Sequence, residues 1–112
     1  MLRIVGNTNN EHMIYITQVI FIKEGKEEAF QEFESFAIPL MEKYGGKMIY
    51  RIRPNAESII SDSQEVPYEI HFISFESETA LNNFLSNEGR KKLIHLKEYA
   101  IKSTIVVKGV EM

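Results

Sequence analysis

Apolar positions along the chain switch between a two-residue and a 3.6-residue period, and each switch marks the boundary of an element. The stretch "IYITQVIFIK" (14–23) is rich in β-branched and aromatic residues and is apolar on both alternating faces. Ile14, Ile16, Ile20 and Ile22 lie on one face and Tyr15, Val19 and Phe21 on the other, as in a strand covered from both sides. Residues 26–44 carry apolar side chains at 29/30, 33, 36/37, 40/41 and 44, a stripe that only a helix presents on one side. Glu27 and Glu28 suit its N-terminal end, Lys43 its C-terminal end, and Gly45 with Gly46 supplies a left-handed stop. Pro39 removes one hydrogen bond from this helix and predicts a bend near residues 35–39.

Alternation returns in "KMIYRIR" (47–53), a strand that ends at Pro54. Residues 54–67 form a polar connection bounded by prolines, expected to be more mobile than its neighbours and to lie near a pocket mouth. "PYEIHFISF" (67–75) is the third strand. Ser77 then reads as an N-cap, with Ala80, Leu81, Phe84 and Leu85 as the apolar side of a second helix. Residues 86–100 continue it as a broken helix, because Asn87 can cap again and Gly89 weakens the join. "KSTIVVKGV" (102–110) is the fourth strand.

The resulting order, β-α-β-β-α-β, is that of the ferredoxin-like α+β fold. Right-handed crossovers place both helices on one face of a four-stranded antiparallel sheet. One helical layer covers one sheet face, whereas the first strand is apolar on both. The second face therefore calls for a partner, and a second copy of the same sheet is the simplest one, giving a homodimer through sheet faces. Residues 14–111 make a single domain. Residues 1–13, with the turn-forming "GNTNN" at 6–10, are expected to be a tail or a short extra strand.

Composition narrows the function. A chain of 112 residues, 44% hydrophobic and 26% charged, suffices for one core. Its net charge of −3 lacks the basic excess that nucleic acid or an anionic membrane would select, so neither is an expected partner. With no cysteine there is no disulfide, thiolate nucleophile or cysteine-held zinc. Three scattered histidines do not argue a metal site, and no phosphate loop, nucleophile elbow or His-Glu-x-x-His pair occurs, so no cofactor is expected. The first 13 residues resemble neither a signal peptide nor an anchor, which makes a cytoplasmic location the default expectation. RNA-recognition motifs share the element order, but their third-strand signature wants a basic residue, a glycine and an aromatic where this chain has Tyr68, Glu69 and Ile70.

The candidate chemistry lies on the third strand. Glu69 and His71 share one face while Tyr68, Ile70 and Phe72 share the other. Arg51 and Arg53 are likewise on one face of the preceding strand, and a hairpin register of 53 with 69 also pairs 51 with 71. One reading is an ion-paired brace at the sheet edge or dimer rim. The other is a pocket wall, in which Arg51, Arg53 and Glu69 bind a small anionic or enolisable molecule and His71 moves a proton as the catalytic group. Glu27, Glu28, Glu32, Glu34 and Glu42 of the first helix, and Arg90, Lys91 and Lys92 of the second helical segment, read as solvated faces without chemistry. Tyr44, Tyr50 and Tyr99 read as packing residues first.

The runs "EKYGGKMIYR", "FISFESETALNNFLSNEGRKKL" and "IVVKGVE" resemble an uncharacterised family of the dimeric α/β-barrel superfamily, related to the antibiotic-biosynthesis monooxygenases. The resemblance covers residues 14–111, and its most specific pieces are Tyr-Gly-Gly at 44–46 and the junction at Phe75–Ser77. It implies two sheets closed face to face, with a pocket in each subunit between sheet and helices. Such proteins include cofactor-free oxygenases, isomerases, haem-degrading enzymes and many of no known activity, so the fold transfers better than the chemistry. Related sequences often carry a tryptophan and an arginine near the start of the third strand. This chain has no tryptophan, places Glu69 about where the arginine would stand, and offers only His95 as a helical axial ligand, which argues against haem. The resemblance implies a cofactor-independent enzyme of oxygenase or isomerase type, with a non-catalytic ligand-binding or regulatory dimer as the alternative.

Overall fold

The structure is a computed structural model that describes residues 12–60 and 65–112. The expected tail or extra strand falls, up to residue 11, outside the described residues. The elements are β1 (Ile14–Ile22), α1 (Glu27–Lys43), β2 (Gly46–Ile52), β3 (Glu69–Phe75), α2 (Glu78–Leu85), α3 (Glu88–Ala100) and β4 (Ile101–Val110), with one 3-10 turn at Ala56–Ser58. They build the ferredoxin-like fold that the sequence predicts, with the second helical segment divided in two. The four strands are ordered β2-β3-β1-β4 with every neighbouring pair antiparallel.

Local chemistry sets these boundaries. Ser77 Oγ accepts the Ala80 N–H at 3.0 Å and starts α2, and Asn87 Oδ1 accepts the Arg90 N–H at 2.8 Å and starts α3. The helix therefore restarts at Asn87 instead of running through. α1 continues through Pro39 as one helix, with the proline on its exposed side. It ends at Gly45, whose φ of +80° is open to glycine at little cost. Gly46 serves a different need, since a β-carbon there would lie 2.5 Å from Met41 Cγ and 2.7 Å from Phe75 Cε1. The first turn of β2 can therefore sit against the core only without a side chain.

One sheet face packs against the helices. Ile14, Ile16, Ile73 and Phe75 meet Phe33, Ala37 and Met41 of α1 and Leu81 and Phe84 of α2. A smaller cluster of Ile20, Phe30 and Ala100 closes the other end of the same face. Phe30, Phe33 and Phe75 are fully buried, each stabilising the fold by about 2–3 kcal/mol. Among the described residues nothing covers the opposite face. It presents Tyr15, Thr17, Val19 and Phe21 of β1, Ile70 and Phe72 of β3, Tyr50 and Ile52 of β2, and Ile105 and Val107 of β4. Tyr15 and Tyr50 stack on either side of Phe72, with ring centroids 6.0 and 6.4 Å away.

Gly46→Ala is expected to destabilise the fold by about 1–3 kcal/mol, the ordinary cost of overpacking. It should lower the urea midpoint with no change in the slope of the transition. An unchanged midpoint would contradict the close approach at this position.

Candidate functional site

Between the two apolar clusters, the helix-covered face of the sheet turns polar. Glu69 and His71 succeed one another on this face of β3, at 2% and 1% exposure. The sheet register sets Arg51 opposite His71 on one side and Gln18 opposite His71 on the other. A shift in register between Met48 and Tyr50 precedes this pairing in β2. The register that brings Arg51 to His71 is therefore reached across a bulge.

Glu69 is the hub. Its Oε1 accepts from Arg51 Nε at 2.8 Å and from His71 Nε2 at 2.7 Å. Its Oε2 accepts from an Arg51 terminal nitrogen at 3.1 Å, from Gln31 Nε2 of α1 at 3.0 Å and from an Arg53 terminal nitrogen. The same Arg51 nitrogen donates to Gln31 Oε1 at 2.9 Å, which ties α1 into the network. The Arg53 guanidinium also lies 3.9 Å over the Tyr68 ring. Burial opposes ionisation of Glu69, but hydrogen bonds from His71, Arg51, Arg53 and Gln31 outweigh it and hold the carboxyl far below the usual range.

An ionised Glu69 only accepts, so the His71 proton facing it is on Nε2. The other ring nitrogen, Nδ1, meets the side-chain amide of Gln18 at 3.2 Å. The two orientations of that amide match the two charge states of the ring, amide oxygen toward imidazolium and amide nitrogen toward neutral imidazole. His71 can thus change its charge without losing either partner.

His71 and Gln18 line a cavity of about 210 Å³ between sheet and helices. Its walls are mainly apolar, from Ile16, Phe33, Ala37, Met48, Ile73 and Phe84 among others. Four charged residues break them, Glu34 of α1, Arg90 and Lys97 of α3 and Lys108 of β4. Lys108 is ion-paired with Glu78 at 2.8 Å. Burial pushes the Glu34 carboxyl above its ordinary range, and the nearby side chains of His71, Lys97 and Arg51 oppose that shift only in part. Glu34 and Arg90 are therefore not members of solvated charged faces, as their helices' charge runs suggested. Glu34 is 7% exposed, and Arg90 Nε is buried. The signal for Glu34 was its place on the stripe of Phe30, Phe33, Ala37 and Met41, and the signal for Arg90 and Lys97 was their common helical face with Leu93 and Ile94.

The four residues singled out from the sequence do converge. His71 alone of them lines the cavity, while Glu69, Arg51 and Arg53 stand behind it. Among the described residues the 54–67 connection does not contribute to the cavity wall, contrary to its expected place at the mouth. Tyr50 and Tyr99 are exposed, and the Tyr44 hydroxyl accepts from Asn87 Nδ2 at 3.0 Å. Among the described residues no group of three or more His, Cys, Asp or Glu is placed to hold a metal ion, and no helix is long and apolar enough to cross a membrane.

No protein-family model matches the sequence, and no curated protein matches it significantly. Solved structures do. A Rhodopseudomonas palustris protein of unknown function is 13% identical, with a TM-score of 0.80 over 92% of this chain and 85% of its own. A Caulobacter crescentus protein, a candidate antibiotic biosynthesis monooxygenase, is 10% identical, with a TM-score of 0.72 over 91% and 92% of the two chains. A Bacteroides fragilis protein of unknown function, described as dimeric with a ferredoxin-like fold, is 11% identical, with a TM-score of 0.62 over 88% and 96%. The chain shares the ferredoxin-like fold of these proteins over nearly its whole length.

The linkage of Glu69 to folding has a definite sign. Because its folded carboxyl titrates below the ordinary value of 4.5, its contribution to stability is complete above that value and is lost as pH falls below it. Glu69→Gln is expected to cost about 3–5 kcal/mol at pH 7, because it removes the charge facing Arg51, Arg53 and His71 and replaces one accepting oxygen by an NH2 donor. The gap to the wild type should narrow as pH falls below 4.5 in denaturant titrations. A gap that stays constant down to acid pH would show that Glu69 is not ionised in the fold.

Proposed function

We propose that this protein binds a small anionic or enolisable molecule in the cavity between sheet and helices and moves a proton on it through His71. The observation that carries this reading is a buried histidine on the wall of an apolar cavity, backed on its far nitrogen by an ionised carboxylate. In that arrangement a proton passed to Nδ1 leaves the Nε2 bond to Glu69 in place. Arg51 and Arg53 act through Glu69, keeping it ionised and in place. Glu34, on the α1 wall, is a second group able to hold a proton, since burial favours its neutral form.

The chemistry is removal of a proton from carbon beside a carbonyl, which leaves an enolate in the cavity. Return of the proton to a different atom is an isomerisation; one-electron transfer from the enolate to dioxygen followed by C–O bond formation gives a peroxide that takes back the proton and loses water to leave a new carbonyl, an oxygenation. Both match a cofactor-independent enzyme. The candidate monooxygenase among the structural neighbours supports this class by fold alone. The uncovered apolar face supports a homodimer in which a second copy lies sheet to sheet, and one structural neighbour is described as dimeric.

A thermal-shift screen of small carboxylates and cyclic ketones should find compounds that stabilise the protein. For those with a hydrogen beside a carbonyl, NMR in deuterated water should show catalysed deuterium uptake. His71→Gln should keep the stabilisation and lose the uptake. Stabilisation without uptake in the wild type would favour a non-catalytic binding protein, and no stabilisation by any compound would remove the pocket reading.

Sedimentation equilibrium at micromolar concentration should give about twice the 13.0 kDa chain mass. Ile105→Lys should reduce it to one chain. Ile105 is 56% exposed in the isolated chain, so a charge there costs the monomer little and the pairing much. A wild type that sediments as a single chain would end the dimer proposal.

A further inference from the structure

The cavity contains cations that His71 and its network do not use. Arg90 Nε is buried and has no hydrogen-bond partner among the described residues, although an N–H in that position ordinarily finds one. The guanidinium lies 5.1 Å from the Phe84 ring and 5.8 Å from the Phe33 ring. Lys97, two turns further along α3, brings its Nζ to 5.8 Å from the same Phe33 ring. The two side chains therefore converge on one aromatic wall of the cavity. Among the described residues neither forms an ion pair, and neither does Glu34, the carboxylate nearest to them in charge influence.

We infer that Arg90 and Lys97 form a carboxylate subsite within the cavity and that its ligand is a small ring carboxylate. The inference rests on the cavity-binding reading above and adds the ligand's class and orientation. Two cations line this wall, and the Glu34 carboxyl, which burial holds toward its neutral form, offsets them only in part, so a negative charge on the ligand lowers the excess. The Arg90 guanidinium and the Lys97 ammonium supply donors on the cavity wall, and a charge-assisted bond from either to a carboxylate is the strong kind. Burial lowers the pKa of both Arg90 and Lys97, so each cation lacks hydration that an anion would replace. The apolar walls accept the ligand's body. A cavity of about 150 Å³ holds a benzene ring, so the 210 Å³ here admits one ring with its carboxylate. A ligand anchored on α3 lays its ring across Phe33 toward the sheet, where His71 and Gln18 wait.

Benzoate and benzamide test this directly, having nearly one shape and differing by one charge. Calorimetry on the wild type should show benzoate bound about tenfold or more tightly than benzamide, the scale of one charge-assisted hydrogen bond. The Arg90 ¹⁵Nε–H resonance should move on titration with benzoate and stay with benzamide, a measurement that needs no variant. Lys97→Met should lower benzoate affinity about tenfold and leave benzamide unchanged. Equal affinity for the two compounds, or a still Arg90 resonance at saturating benzoate, would overturn the subsite and leave the cavity reading standing. Failure of both compounds to bind would overturn the ring-carboxylate subsite, and the cavity reading falls with it only when the wider screen also finds no ligand.

Discussion

A carboxylate buried on the covered face of a sheet must be surrounded by donors, and much of this structure is arranged around meeting that requirement at Glu69. Desolvating such a group costs several kcal/mol, and removing any partner leaves a charge without an answer. Its partners come from separate parts of the chain: Gln31 from α1, Arg51 from β2, Arg53 just beyond β2 and His71 from β3. One side chain thus holds α1 to the sheet and β2 to β3. A one-residue slip of β2 would turn both arginines to the uncovered face, so Glu69 selects the register with Arg51 opposite His71. Replacing this network with apolar residues could leave the fold as stable, which makes specificity of register and of the His71 proton its clearer products.

The polar strip has a second consequence. It separates the cluster around Phe33 and Phe75 from the one around Ile20 and Phe30, and beside it the helices do not close onto the sheet. Apolar side chains could have filled that space, yet Glu34, Arg90 and Lys97 point charges toward it and none of them is ion-paired among the described residues. Partly desolvated charges without partners are destabilising. Chains that keep them at a cavity generally do so where binding needs them. The contrast with Lys108 is useful, because that cavity cation is paired with Glu78 and needs no ligand to answer it.

Much of the fold was legible because its signals are local. The stripe of α1, the caps at Ser77 and Asn87 and the breaker at Pro54 each act within a turn of the residue that carries them. The pairing of 51 with 71 was legible for a different reason: alternation puts Arg51 and Arg53 on one face and Glu69 with His71 on another, and only one register joins them. Glu34 and Arg90 were missed because charge in a run was read as a solvated face, whereas burial depends on position within the stripe; Lys97 lies outside that run and was not singled out. Glu34 sits four residues after Phe30 and three before Ala37, on the side that faces the sheet. Arg90 and Lys97 flank Leu93 and Ile94 in the same way. The orphaned Arg90 Nε could not be read at all, since it depends on which acceptors three separate elements fail to bring near.

β4 joins the two halves of the molecule's surface chemistry. Its side chains alternate, so Val106 and Lys108 line the cavity while Ile105 and Val107 lie on the uncovered face. Among the described residues it is an edge strand, held by β1 on one side only. Its further anchors are the ion pairs Lys108–Glu78 and Lys102–Glu65, which are exposed and therefore weak. Paired with β1 along the whole of that strand, β4 still leaves one edge whose twist responds to what covers it. If a second sheet packs over Ile105 and Val107, it also fixes the pleat that carries Val106 and Lys108 in the cavity wall. Pairing of two chains and the shape of the cavity are then not independent properties, because one two-residue period expresses both.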